Sequence, residues 1–282
     1  MTTHPIRHWT NAARAAAVLL ISALTLSAET VKAEVFPLDA FDAASAETVD
    51  HSAWSAFLGA YVVEGEDGIN RVRYGDVTVA DRTALNAYIA ALENIEVTAL
   101  NRPEQFAYWV NLYNAATIRV VLENYPVDSI RDIKPNVLAF GPWKMNVVEV
   151  MGRKLSLDNI AHDILRVAWD EPRVHYAVNC ASVGCPNLAV TAYTGAALED
   201  MLDAAARGYI NHPRGARVTD RGLVVSSIYD WYKEDFGGSD AGVIAHLKAY
   251  ADANLAADLA EMTAIADHAY DWSLNDASGT GG

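Results

Sequence analysis

The chain has 282 residues, 52% of them apolar, with 36 acidic against 21 basic side chains and a formal charge of −15. Such a surface repels phosphate backbones and anionic headgroups, so nucleic acid and membrane surfaces are excluded as first expectations. About half the composition being apolar allows a large buried core.

Arg7 and Arg14 precede an apolar run over 15–28 with small residues after it, the pattern of a secretory signal peptide cleaved after Ala28 or after Ala33. The run is too short to span a bilayer, and no later segment reaches the roughly 20 apolar residues of a membrane helix. No cysteine stands near either cleavage point to carry a lipid. Removing residues 1–33 takes away Arg7, Arg14, Lys32 and Glu29, which leaves the mature chain two charges more negative. The expectation is a periplasmic or secreted protein, with no membrane insertion of the mature chain. No linker splits it, so 34–276 reads as a single globular domain with a disordered tail at 277–282.

In chain order, the pattern predicts a helix over 38–61, a short strand or turn over 72–79 and a helix over 81–95. Residues 103–124 place Phe106, Trp109, Val110, Tyr113, Ala116, Val120 and Val121 at three- and four-residue spacing, with Pro103 and Glu104 suited to a first turn. This predicts the central buried helix. A hairpin follows over 143–155, turning at Gly152, and Ser156 is placed to cap a helix reaching Trp169, with Asp158 near its positive end. Residues 174–179 read as a buried strand breaking into a loop. A helix over 195–210, a second hairpin over 217–226, helices over 227–236 and 241–251, and a last strand over 263–270 complete an α+β fold. Helix dominates, with one small, mainly antiparallel sheet.

Chemistry concentrates in residues 175–186, HYAVNCASVGCP, which hold both cysteines. Two readings of Cys180 and Cys185 stand open. In an exported protein the pair closes a small disulfide ring worth about 2 kcal/mol. Alternatively one of them is a thiolate nucleophile whose proton passes to His175 or His162. Strand alternation puts His175 and Cys180 on opposite faces, which favours His162 as the base. Each histidine read alone is as readily a buried imidazole satisfied by a carbonyl. Asn111 and Asn114 share one helix face, where amides bind a substrate carbonyl or form a buried network fixing the cysteine loop. Asn179, Asp271 and Trp272 join them as candidate binding residues, as does Glu104, for which a first-turn role beside the helix dipole is already sufficient. Cys-x4-Cys with scattered histidines is a weak zinc pattern, and no glycine-rich phosphate loop or Gly-x-Ser-x-Gly elbow occurs. Neither a metal nor a cofactor is expected.

Four stretches carry a family resemblance. Residues 102–115, RPEQFAYWVNLYNA, resemble the NEQLAFWINLYNA signature of the domain of unknown function 547, and 155–162, LSLDNIAH, is similar to its LSLDDIEH segment. Residues 172–186 resemble its PRIHFALNCASxSCP segment, and 270–276 its YDWSLND ending. The resemblance spans roughly 54–276 and implies an uncharacterised domain found in exported bacterial proteins and in plant proteins, with no agreed reaction. The chain departs from the pattern at Pro103 and at Ala161, where the family often has Asn and Glu. The order of core helix, Trp-led hairpin and Asp158 also resembles papain- and transglutaminase-like folds, although the helix start offers Glu104 and Gln105 in place of a thiol. Two functions follow as expectations: a non-catalytic domain binding a small molecule, peptide or protein beside a disulfide-braced loop, or a thiol-dependent hydrolase or acyl transferase using Cys180 or Cys185 with His162 or His175.

Overall fold

The computed structural model describes residues 36–277. The expected signal segment, and the expected tail beyond Ala277, lie outside the described residues. The central helix is built as its sequence predicts. Asn101 accepts a hydrogen bond from the Glu104 amide (3.0 Å) and so caps α3, Arg102–Asn124, with Pro103 in its first turn. Eighteen of its 23 residues are buried, on all sides, so it forms the centre of the larger hydrophobic cluster.

Before α3 come α1 (Ser52–Tyr61), the paired strands β1 (Val62–Glu64) and β2 (Asn70–Val72), and α2 (Val79–Glu93), which Thr78 caps through the Asp81 amide. The helix expected over 38–61 is present only in its last ten residues. Upstream, Asp42, Ser45 and Asp50 bond the amides two residues on, which diverts the backbone from helix. The carbonyls of Ala40 and Ser45 are instead taken by Gln105 and Asn101 at the start of α3.

The predicted hairpin is β3 (Asn146–Val150) against β4 (Arg153–Ser156), antiparallel. Its two-residue turn, Met151 and Gly152, has positive φ at both positions, which is why glycine stands there. Ser156 accepts from the Asn159 amide (3.2 Å), as expected of a cap. The helix it opens is π-helical over Asn159–Leu165 and continues as α4, Arg166–Trp169.

The strand expected over 174–179 is a correction: Val174–Ala177 is a single helical turn, α5, closed by the Val178 amide on the Val174 carbonyl (3.2 Å). A short run of apolar residues reports burial and leaves the period undecided. Here Val174, His175, Tyr176 and Ala177 are all buried, so no exposed residue marks the period. The alternation argument that set His175 and Cys180 on opposite faces therefore does not apply.

The remainder follows the expected order with one further helix, α9: α6 (Leu198–Ile210), the hairpin β5 (Ala216–Thr219) and β6 (Gly222–Ser226), α7 (Ile228–Trp231), α8 (Asp240–Tyr250), α9 (Ala253–Asp258) and β7 (Ile265–Ala269). Strand β7 joins β6 in parallel, and α7 to α9 supply the crossover that parallel pairing needs. The fold is α+β. Among the described residues its strands fall in three small sheets, antiparallel except for β6 with β7. One hydrophobic cluster surrounds α3, and a second joins α6, β6 and α8.

After β7 the chain threads back between them. Gly184 donates to the Asp271 carbonyl (2.8 Å), Val183 to that of Ser273 (2.8 Å), and Asn275 to that of Ala181 (3.1 Å). A Cβ at Gly184 would sit 2.7 Å from the Asp271 amide nitrogen, so this approach requires glycine. None of the described helices is long and apolar enough to cross a membrane.

Candidate functional site

Asn114 and Asn179 set the shape of the cysteine turn. The Asn114 amide donates to the Ala177 carbonyl (2.9 Å) and accepts from the Asn179 backbone (2.8 Å). The Asn179 side chain in turn donates to Pro186 O (2.7 Å) and accepts from the Ala181 amide (2.8 Å), closing the turn on itself. One helix position thus fixes a loop more than 60 residues away. Cys180 and Cys185 are bonded to each other within that turn, their Cα atoms 6.2 Å apart. The buried Tyr270 hydroxyl lies 3.1 Å from each sulfur and from Ser182 Oγ.

The turn forms part of the wall of a cavity of about 1030 Å³, at the junction of the two hydrophobic clusters. Small-molecule sites commonly measure roughly 300–1,000 Å³. Tyr113 reaches the cavity from α3, His162 and Arg166 from the helix after the hairpin, His175 from α5, and Tyr232, Tyr270 and Trp272 from the C-terminal half. Three tryptophans and a tyrosine form one wall. Trp272 packs on Trp143 (5.6 Å between ring centres), on Trp231 (5.5 Å) and on Tyr270 (4.6 Å). Trp231 remains 45% exposed.

A charged group meets the cavity through Arg166 and His175. Asp235, in the short helical turn Lys233–Phe236, receives both Nε (2.5 Å) and Nη2 (2.7 Å) of Arg166 and Nε2 of His175 (2.6 Å). These bonds outweigh the cost of burying the carboxylate and hold its pKa well below the usual range. Burial pushes the His175 pKa down despite that partner, so the ring is neutral and its Nε2–H donates to the Asp235 carboxylate. The His175 ring lies flat on Tyr232, centres 4.4 Å apart. His162 has a looser setting. Its nitrogens meet Arg166 Nη1 and the Tyr232 hydroxyl only at 3.4 Å, and Asp158 at 3.8 Å. Burial lowers its pKa as well, ahead of the opposing effect of Asp158.

Of the residues singled out from sequence, Cys180, Cys185, His162, His175 and Trp272 line the cavity. Asn111, Asn114, Asn179 and Glu104 lie behind it, buried and bonded to backbone. Asn111 pairs both ways with the Tyr193 backbone (2.8 and 3.0 Å), and Glu104 accepts from the amides of Val49 (2.7 Å) and Gly195 (2.9 Å). Asp271 is exposed, accepting from the Ser273 amide (2.8 Å). The sequence reading passed over Arg166, Trp231, Tyr232 and Asp235. Arg166 had a signal, since Asp158, His162 and Arg166 recur at four-residue spacing on one helix face. Asp235 had none, because in an acidic chain it looks like any solvated helix residue. Among the described residues, no group of three His, Cys, Asp or Glu is disposed to hold a metal ion.

Fold and site together define an α+β domain with an aromatic pocket bordered by a disulfide turn. Residues 97–210 match the model of the family described as protein of unknown function, DUF547. No curated protein and no solved structure matches the chain.

Proposed function

We propose that the chain is an exported, non-catalytic ligand-binding domain, in which the aromatic cavity takes a small molecule and the disulfide-braced turn holds part of its wall in place. The observation that carries this reading is the bond between Cys180 and Cys185 inside the cavity wall. It consumes both thiolates that a cysteine nucleophile would draw on. The His175 ring supports the same reading, being held by Asp235 on one side and stacked on Tyr232 on the other. Export is supported by the pattern of residues 7–28 and by compartment, since a disulfide persists in an oxidising one.

One observation favours a second reading. Both sulfurs line the same cavity as His162, whose loose contacts suit a general base. After reduction, this arrangement is that of a thiol hydrolase or acyl transferase.

Titration of the oxidised protein with the neutral dye N-phenyl-1-naphthylamine tests the choice, beside an assay for p-nitrophenyl ester hydrolysis. The binding reading expects enhanced dye emission, weakened roughly tenfold by Trp231→Ala as one aromatic face is lost, and no turnover that depends on a cysteine. Ester turnover abolished by Cys180→Ser overturns it, as does the absence of binding by both this dye and its sulfonated analogue 1-anilinonaphthalene-8-sulfonate.

A further inference from the structure

The cavity wall does not share the acidic excess of the molecule. The chain carries 36 acidic and 21 basic side chains, yet the ionisable wall residues apart from tyrosines are Lys144, Arg166, His162, His175 and Asp158. Arg166 returns its charge to Asp235 through a two-point contact, and both imidazoles are kept neutral by burial. What remains is one cation, the exposed Lys144, and one anion, Asp158, which stands beside His162 with its amide on the Trp143 carbonyl (2.9 Å).

Arg131 adds a second cation beside the cavity wall. Its guanidinium lies over the Phe140 ring (4.5 Å) and the Trp272 ring (5.2 Å), both of which line the cavity. Among the described residues neither Arg131 nor Lys144 has a carboxylate within ion-pair distance. Unpaired cations beside stacked tryptophans, on an acidic protein, fit a ligand with a flat apolar body and a negative end. Phe140, 73% exposed, extends the apolar rim beyond the cavity.

We infer that the cavity takes a ring-bearing organic anion, with the ring against Trp143, Trp231 and Trp272 and the carboxylate, sulfonate or phosphate group at Lys144 and Arg131; this rests on the ligand-binding reading and names the class of its ligand. The Tyr232 hydroxyl and the His162 nitrogens, which also line the cavity, offer hydrogen bonds to a polar group elsewhere on the ligand.

Two dyes of the same skeleton separate the charge from the ring: 1-anilinonaphthalene-8-sulfonate and the neutral N-phenyl-1-naphthylamine. The sulfonate is expected to bind roughly tenfold more tightly than the neutral dye at low salt and to lose that advantage in about 0.5 M salt. The double variant Arg131→Gln, Lys144→Gln is expected to weaken the sulfonate roughly tenfold and leave the neutral dye unchanged. Lys144→Gln alone, at an exposed position, is expected to give a smaller loss of the same kind and guards against a folding defect in the double variant. Equal affinity of the two dyes, or an unchanged sulfonate affinity in both variants, overturns the anion assignment while the ligand-binding reading stands. Absence of binding by either dye overturns both.

Discussion

Asn179 is the side chain on which the geometry of the cysteine turn depends most directly. It is buried, and its amide bonds both the carbonyl of Pro186 and the amide of Ala181. Asn179→Ala leaves two buried backbone groups without partners, each costing about 1–3 kcal/mol. Urea unfolding is expected to show a loss of at least about 2 kcal/mol, and a variant as stable as the parent would contradict the clamp. Asp235 is the counterpart behind Arg166 and His175. Asp235→Asn removes the charge that holds Arg166 and receives His175 Nε2–H. Because the carboxylate and the guanidinium are partly solvated, a loss of roughly 1–3 kcal/mol is expected, below that of a fully buried pair. Unchanged stability would show that Arg166 and His175 find other partners.

At the scale of elements, the disulfide closes a ring of a few residues, for which loop-closure entropy gives about 2 kcal/mol. Replacing both cysteines by alanine is expected to lower the unfolding free energy by that amount and to weaken dye binding through loss of the fixed turn. Equal stability and equal binding would mean that the asparagine clamp alone suffices. The elements that carry the site were legible in sequence to different degrees. The apolar spacing of α3, the Met151-Gly152 turn and the Ser156 cap each have a local cause, and each was read where it lies. Residues 174–177 were not. Their apolar and β-branched character reflects burial on every side, and the helical turn is set by Asn114, which holds the Ala177 carbonyl from another element. The wrap before α1 failed for the same reason, since its carbonyls are claimed by side chains at the start of α3. Of the site, the residues adjacent in sequence to the cysteines could be read; the Asp235 contact joins residues 60 apart in the chain and left no local trace.

Across the whole molecule, four histidines, His51, His162, His175 and His246, have pKa values lowered by burial, those of His51 and His246 to about 4. In the unfolded chain each takes up its proton near pH 6.5. The folded state therefore binds fewer protons between pH 6.5 and about 4, and stability present above that window falls as pH drops through it. His51, buried with its Nδ1 on the Tyr88 hydroxyl (2.6 Å), accounts for about 2 kcal/mol of that loss by pH 5. Asp235, held below its ordinary value, adds a further loss of the same sign below about pH 4. Relief of the net negative charge acts in the opposite direction but is largely screened at physiological salt. The melting temperature is expected to fall by roughly 5–10 °C between pH 7.5 and 5. A flat profile would place these imidazoles in solvent.

The binding reading stands or falls on the state of the two sulfurs in the cavity wall. Iodoacetamide added to the native, unreduced protein, followed by peptide mass mapping, reads it directly. The account predicts no alkylated cysteine and a single peptide two hydrogens lighter than its reduced form, carrying the Cys180–Cys185 bridge. Carbamidomethylation of either Cys180 or Cys185 under these conditions would contradict it and return the cavity to thiol chemistry.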